Sequence, residues 1–299
     1  MPVPMRASPT LAFAVAALGT AIYATMDALM KGLSIASGAY SAVLWRSVGG
    51  VAIAGAVFVA RGRRWPARAA VRLHVVRGLT AGASVVLFFW GLARVPMAKS
   101  VALTFLAPLI ALYLASLLLG ERVRRAAIWG SLVAAAGVLV IAAGEAGGGA
   151  SADTVLGTIA IVVASVLYAA SLILLRRQAQ VADPLEVSLF TSLVIGVVLL
   201  AGAPWLSGWP AWPQTPAIGA AAMLGTISSM LMAWAYGRAE ASVLAPVEYT
   251  AFVWAALLGW LVYGEHVSIP TLAGAAMIVV GCIVAIRRAG PYPQTEAAA

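Results

Sequence analysis

Long apolar runs alternate with short polar segments along the whole chain. Each run is close to the roughly 20 residues that a helix needs to cross the hydrocarbon core of a bilayer. The connecting segments are rich in Arg, Gly, Ser and Pro. The pattern predicts ten transmembrane helices. They run near residues 10–31, 38–60, 73–93, 96–119, 126–144, 155–175, 185–206, 216–236, 242–262 and 268–286.

Composition agrees with a chain that lies mostly in lipid. Of the 299 residues, 63% are hydrophobic and 10% are charged, against about 25% charged in ordinary soluble proteins. The 29 glycines suit helices packed closely in a membrane. The first apolar run is too long for a signal peptide and has no small-residue cleavage site after it. The expected fold class is therefore an all-α membrane protein.

Arginines mark one side of the predicted membrane. If the N-terminus is cytoplasmic, that side receives 14 of them, whereas Arg94 alone lies clearly on the other side. The positive-inside rule then predicts a multi-pass protein of the bacterial inner membrane with both termini in the cytoplasm. The net charge of +9 is explained by this asymmetry, and no nucleic-acid partner is expected. The 14 are Arg6, Arg61, Arg63, Arg64, Arg68, Arg72, Arg122, Arg124, Arg125, Arg176, Arg177, Arg238, Arg287 and Arg288.

The chain contains an internal repeat. A shift of 144 residues places 94–123 on 238–267, so that a Gly-Glu pair ends a span in each half. Two further glycines match, and one more residue of shift aligns two positions in the first span of each half. The matches are Gly120/Gly264, Glu121/Glu265, Gly130/Gly274, Gly137/Gly281, Tyr23/Tyr168 and Lys31/Arg176.

The repeat predicts two domains, 1–148 and 149–299, joined near the segment EAGGGASAD (145–153). Each half holds five spans. Because five is odd, the second half must enter the membrane upside down. Inverted repeats are typical of secondary transporters, whose site lies near the midplane between the halves. The alternative is duplication in a structural membrane protein.

The five-plus-five spans, the repeated Gly-Glu ending and the phrase RGLTAGASVVLFFWGLARVPMAKSVALTFLAPLIALYLASLLLGERV (77–123) resemble the drug/metabolite transporter (DMT) superfamily, in its EamA branch. Within the branch the chain is similar to aromatic amino-acid exporters of the YddG type and to carriers of S-adenosylmethionine. The resemblance implies a ten-helix carrier with an inverted repeat. Its substrates in the branch include amino acids, other metabolites and drugs.

Charges inside the first span are candidates for gating or proton coupling. Asp27 and Lys31 are four residues apart and share one helix face. Pairing would lower the cost of burying each charge. The pair either stabilises the helix end or forms an outer gate whose carboxylate takes a proton when it opens.

Three further charges lie within spans, where ionisable residues are expensive. Arg46 is expected either to anchor a structural network or to bind an anionic substrate group. Lys99 either extends toward the interface or meets a substrate carboxylate. Glu248 either binds an amine, carries a proton or is a paired interfacial glutamate. Pro108 is expected to kink the fourth span and to act as a hinge.

Most aromatic residues of the spans are expected to pack in the core. Tyr168, Trp90 and Trp254 are the candidates for a substrate side-chain pocket, where aromatic rings suit an apolar or aromatic ligand.

The sequence lacks the residue patterns that metal binding, ATP binding and serine-based catalysis require. The two histidines, His74 and His266, and the single Cys282 form no metal-ligand spacing, so no metal is expected. No Gly-rich phosphate loop and no plausible Ser–His–Asp set is present. Hence we expect no cofactor, no ATP-driven pump and no enzyme.

The sequence thus predicts a carrier that exports neutral amino acids with bulky apolar or aromatic side chains by alternating access. Lys99, together with Arg46, is expected to hold the carboxylate. Expected partners are a small-molecule substrate, membrane lipid and protons as a candidate coupling ion, with the protein a monomer or weak dimer. The rival predictions are a carrier of S-adenosylmethionine, a drug or another metabolite, and a passive facilitator or channel.

Overall fold

The structure, a computed structural model, describes residues 9–119, 125–147, 151–178, 181–236 and 241–287. These residues form eleven α-helices and one short 3-10 helix, with no β-strand among them. The helices are α1 (Pro9–Ser37), α2 (Ala39–Ala60), α3 (Arg68–Leu92), α4 (Met97–Thr104), α5 (Ala107–Leu119), α6 (Arg125–Gly147), α7 (Ala152–Gln178), α8 (Pro184–Leu206), η1 (Trp212–Gln214), α9 (Thr215–Tyr236), α10 (Ala241–Tyr263) and α11 (Ile269–Arg287).

Spans of two lengths recur in the same order in both halves. Six helical segments, in α1, α2, α3, α7, α8 and η1–α9, are long and apolar enough to cross a membrane by length and composition. Four shorter apolar segments complete the ten, and they follow the three long spans of each half. The shorter segments are Met97–Ala111, Ile128–Gly144, Tyr249–Tyr263 and Ile269–Gly281. The all-α fold of ten spans in two inverted five-helix repeats is therefore confirmed.

The first span is longer than predicted. α1 continues six residues beyond Lys31, as far as Ser37, and a single residue, Gly38, joins it to α2. Gly38 has φ +81°, a left-handed conformation that glycine adopts without steric cost. Lys31 consequently lies well inside the helix, where its ammonium is buried, and not at the helix end.

The fourth span is divided, although the sequence predicted one kinked helix. α4 ends at Thr104, α5 begins at Ala107, and Phe105 and Leu106 form a turn between them. Pro108 has no amide hydrogen to bond to the carbonyl of Thr104, four residues earlier, so a continuous helix would lose that bond. The break thus precedes Pro108, whose role as a hinge stays a prediction.

Helices of the two halves pack in pairs that respect the repeat. α6 packs on α11 and α2 on α8, so that each of these helices meets its own counterpart. α1 packs on α9, α3 packs on α7, and exchanging the two halves converts one of these pairs into the other. The halves are therefore related by an approximate two-fold axis through their shared interface.

Glycines bring α6 and α11 into backbone contact. A Cβ atom added to Gly137 would lie 2.6 Å from the carbonyl oxygen of Gly274, and Gly281 has the equivalent contact with Gly130. The repeat aligns Gly130 with Gly274 and Gly137 with Gly281. The two contacts are therefore reciprocal, as a two-fold axis requires, and small residues allow this approach in membranes.

We predict that Gly274→Ala destabilises the protein, because the added methyl group must push the α6 backbone away. Overpacking of this kind costs about 1–3 kcal/mol. The measurement is the thermal unfolding midpoint of purified protein in detergent. Gly219→Ala is the matched control, since a Cβ atom at Gly219 of α9 meets nothing within 4 Å. Equal midpoints for the two variants would contradict the predicted contact.

Candidate functional site

Arg46 lies within α2, in a setting that is mostly apolar. Its Nη1 is 3.8 Å from Sδ of Met26 in α1, and its guanidinium lies 5.8 Å from the ring centroid of Phe89 in α3. On the α9 side, a Cβ atom at Gly225 would be 3.8 Å from Nη1. The Nε of Arg46 is buried and has no hydrogen-bond partner among the described residues. The guanidinium thus makes only weak contacts, at the place where α1, α2, α3 and α9 come together.

α1 places a carboxylate and a phenol near this cation. Tyr23 and Asp27 are one helical turn apart on α1, and the charge of Arg46 acts on both side chains. Both residues are half-buried. An acid, a base and an aromatic hydroxyl therefore lie close enough for their charges to interact, and ionisable side chains inside membrane spans are candidates for a substrate site.

Arg77 of α3 extends the cluster to a different depth. Its Nη1 donates a hydrogen bond of 2.6 Å to Oγ1 of Thr191 in α8, and its charge acts on Tyr23 and on Tyr168 of α7. Its Nε is buried without a hydrogen-bond partner in the part of the chain that the structure describes. Arg77 and Phe89 are twelve residues apart on α3, a rise of about 18 Å. We call Tyr23, Asp27, Arg46, Arg77 and Tyr168 the central cluster.

Lys31 is paired with a residue of the other half. Its Nζ donates to Oε1 of Glu265 and, at 2.8 Å, to the carbonyl of Val95. The second carboxylate oxygen of Glu265 accepts a bond of 2.7 Å from the amide of Met97, the first residue of α4. The predicted ion pair between Asp27 and Lys31 is therefore wrong. The carboxylate of Glu265 that pairs with Lys31 also caps the N-terminus of α4, where negative charge is favoured.

The turn after α10 explains how Glu265 reaches this position. Gly264 has φ +64° and its amide bonds to the carbonyl of Trp260 at 3.0 Å, which ends the helix and reverses the chain. Tyr263 adds a bond of 2.6 Å from its hydroxyl to the carbonyl of Ala28. Lys31, Val95, Met97, Tyr263 and Glu265, here called the Lys31 cluster, thus join α1, α4 and the α10–α11 turn. The repeat counterpart Glu121 lies outside the described residues.

Lys99 is buried next to the same cluster. Only 4% of its surface is exposed, and it lines a cavity of about 210 Å³ between α4, α6, α10 and α11. Glu265, His266 and Thr271 are among the polar residues of the cavity wall. Lys99 is therefore turned toward this partly open and mainly apolar cavity, whereas a snorkelling lysine would reach the interface.

A second tie between the halves lies at the opposite face, where α3 and α8 begin. Nε2 of His74 is 2.9 Å from Oε1 of Glu186 in α8, and Nδ1 contacts the amide of Gln178 in α7. The imidazole also stacks on Phe190 with ring centroids 4.5 Å apart. The described helices are therefore held together across the repeat at both faces.

The predicted aromatic residues take different positions. The Cζ atom of Arg94 lies 3.7 Å from the ring centroid of Trp90. The ring next to Arg46 is that of Phe89. Tyr168 is 46% exposed and lies within the field of Arg77, and Trp254 is 37% exposed. The charge of Arg77 links Tyr168 to the central cluster, and the pocket roles of Tyr168, Trp90 and Trp254 stay predictions.

Glu248 lies in α10, but its side chain is outside the part of the chain that the structure describes. Its role in amine binding or proton transfer stays a prediction. Among the described residues, no group of three or more His, Cys, Asp or Glu side chains could hold a metal ion.

Sequence reasoning overlooked Arg77, Phe89 and the partner of Lys31. Arg77 could have been found, since it is an arginine inside a predicted span, as Arg46 is. Glu265 carried a signal in the repeated Gly-Glu pair. Phe89 had no distinguishing feature beside Trp90, because only helix rotation decides which ring faces α2.

Comparisons with known proteins agree with the fold and point to transport. The EamA-like transporter family matches this chain twice, over residues 10–143 and 155–287. The pseudopaline exporter CntI of Pseudomonas aeruginosa is 27% identical over 277 residues, which cover 91% of this chain and 94% of that protein. An uncharacterized transporter of Helicobacter pylori is 25% identical over 218 residues, covering 70% of this chain and 72% of the relative. One solved crystal structure is similar with a TM-score of 0.62 and 26% identity, covering 94% of this chain and 97% of the solved one.

We predict that Lys31→Met destabilises the protein more than the double variant Lys31→Met/Glu265→Met. Removing one partner of a buried pair leaves an unpaired charge and costs about 3–5 kcal/mol, whereas replacing both by apolar groups is often close to neutral. Thermal unfolding of the single variants, the double variant and the unmodified protein in detergent would measure the coupling. Additive losses would show that the two side chains do not interact.

Proposed function

Because this chain belongs to the EamA-like transporter family, it is a membrane transporter, and we propose that it is a secondary carrier exporting amino acids with bulky apolar or aromatic side chains. Its similarity to a pseudopaline exporter supports the export of a small metabolite. The two inverted halves support alternating access, since such a pair can exchange two related conformations around a site between them.

The observation that carries the proposal is the incompletely bonded guanidinium of Arg46 inside the helix bundle. An arginine at mid-helix in a membrane costs about 2.5–3.5 kcal/mol on insertion scales. Its close contacts are a sulfur atom and an aromatic ring, which compensate this cost poorly. The charge of Asp27 also acts on it, but Nε bonds to none of the described residues. A substrate carboxylate would supply the missing acceptor, and guanidinium groups bind carboxylates through two parallel hydrogen bonds.

The other residues of the site are assigned their roles relative to that carboxylate. Asp27, on which the charge of Arg46 acts, receives the ammonium group of the amino acid, and Phe89 and Tyr23 contact its side chain. Tyr168, Trp90 and Trp254 shape the remaining wall. Lys99 forms a further carboxylate contact on the path toward the face where α1 ends.

We also place the protein in the bacterial inner membrane with both termini in the cytoplasm. The arginine asymmetry of the loops supports this orientation. Export would then proceed toward the face that carries the Lys31 cluster. A reporter that is fluorescent only in the cytoplasm, fused to the C-terminus, would test the orientation.

We predict that Arg46→Gln lowers the rate of L-phenylalanine counterflow in proteoliposomes at least about tenfold. The loss corresponds to one hydrogen-bonded charged contact of about 1.5–3 kcal/mol. Arg72→Gln is the matched control, because Arg72 is an exposed arginine at the start of α3. Counterflow at the unmodified rate in Arg46→Gln would remove this residue from the site, and a solute panel with no saturable transport would refute the proposed class of substrate.

A second prediction concerns the ammonium group. The unmodified carrier is expected to prefer L-phenylalanine over 3-phenylpropionate, which has the same ring and carboxylate but no amine. Asp27→Asn is expected to reduce that preference at least about fivefold, because it removes the anion that pairs with the ammonium group. Competition of the two compounds for counterflow gives the ratio. An unchanged ratio would exclude Asp27 as the amine site.

A further inference from the structure

The central cluster contains more positive than negative charge. Among the described side chains that form it, Arg46 and Arg77 are cations and Asp27 is the single carboxylate. A neutral amino acid brings one negative and one positive group, so it would leave the positive excess unchanged. A substrate with two carboxylates and one ammonium group would compensate all three side chains, and uncompensated charge is costly away from water.

The two arginines lie in two helix interfaces that correspond in the repeat. Arg46 lies against α9 in the α2–α9 interface, and Arg77 bonds to α8 in the α3–α8 interface. Exchanging the halves converts the first interface into the second. An axis in the plane of the membrane also exchanges the two sides of the bilayer, so the arginines lie at opposite depths about the midplane.

The local contacts agree with this separation in depth. Arg46 of α2 lies at the level of Phe89 in α3. Arg77 precedes Phe89 in α3, by about 18 Å of helical rise. The charges of both arginines act on Tyr23. The cluster is thus elongated along the direction of transport.

Thr191 does not account for the charge of Arg77. The hydroxyl of Thr191 accepts one bond from Nη1, which a neutral donor could also make. Nε is buried and bonds to nothing in the described residues. A cation retained at this depth with an unused donor has the features of an anion subsite.

We infer that Arg77 forms a second anion subsite, so that the preferred substrate is an amino acid with a second, distant carboxylate. This inference rests on the proposed function, and it assigns the first carboxylate and the ammonium group to Arg46 and Asp27 as before. The side-chain carboxylate points along the membrane normal toward Arg77, between Tyr23 and Tyr168.

The test uses two solutes that differ only in that carboxylate, L-phenylalanine and 4-carboxy-L-phenylalanine. Half-saturation concentrations are measured by counterflow in proteoliposomes of the full chain. We expect 4-carboxy-L-phenylalanine to be favoured at least about tenfold by the unmodified protein, the effect of one charge-assisted contact. Arg77→Gln is expected to reduce the ratio to within about threefold of unity, and Arg77→Lys to keep part of it.

Thr191→Val separates a binding role from a structural one. This variant removes the bond between α3 and α8 but keeps the guanidinium, so the selectivity ratio should stay within about threefold of the unmodified value. If Arg77 only ties the helices, Thr191→Val and Arg77→Gln will change the ratio in the same way, and the inference is overturned. Arg72→Gln again serves as the control for loss of an arginine from α3.

The outcomes distinguish the two proposals. Saturable transport of L-phenylalanine with no preference for the dicarboxylate would overturn the second subsite and leave the carrier function standing. If neither solute showed saturable transport, the proposed function and this inference would both fail.

Discussion

A charge inside an apolar helix bundle needs a counter-charge or strong hydrogen bonds, and this requirement organises the interior of the protein. Lys31 meets it fully through Glu265 and a backbone carbonyl. Lys99 lies beside a cavity whose wall also contains Glu265. The guanidinium groups of Arg46 and Arg77 meet the requirement only in part. The two guanidinium groups are therefore the candidate contacts for a polar ligand, whereas the pair of Lys31 and Glu265 holds helices of the two halves together.

The repeat explains the scaffold better than it explains the site. Glycines that correspond in the two halves touch each other across the α6–α11 interface, so the symmetry extends to individual backbone contacts. The central charges do not repeat. With the shift of 145 residues, Asp27 corresponds to Leu172 and Arg46 to Thr191. The protein thus combines a symmetric framework, suited to two related conformations, with an asymmetric set of candidate binding groups supplied mainly by the first half.

Much of the fold could be predicted from the sequence because a span is a local property: about 20 apolar residues and a polar end suffice. Partners could not be predicted in the same way. Lys31 and Glu265 are 234 residues apart, and the nearer carboxylate of Asp27 satisfied the local spacing rule. Likewise, the choice between Phe89 and Trp90 depends on the rotation of α3, which helix packing determines. Arg77 could have been identified from the sequence, since it is an arginine inside the predicted span 73–93.

The carboxylate of Glu265 serves two elements at once, since one oxygen binds the ammonium of Lys31 and the other caps the first turn of α4. If the α10–α11 turn moves away, both bonds break together, and α4, which is detached from α5 by the turn at Phe105–Leu106, loses its anchor in the same step. In the proposed alternating-access cycle, opening of this face would therefore be cooperative, because breaking one bond alone would leave either the Lys31 ammonium or the α4 N-terminus without its partner. Such a linkage would favour two distinct forms, open and shut, over a continuum between them.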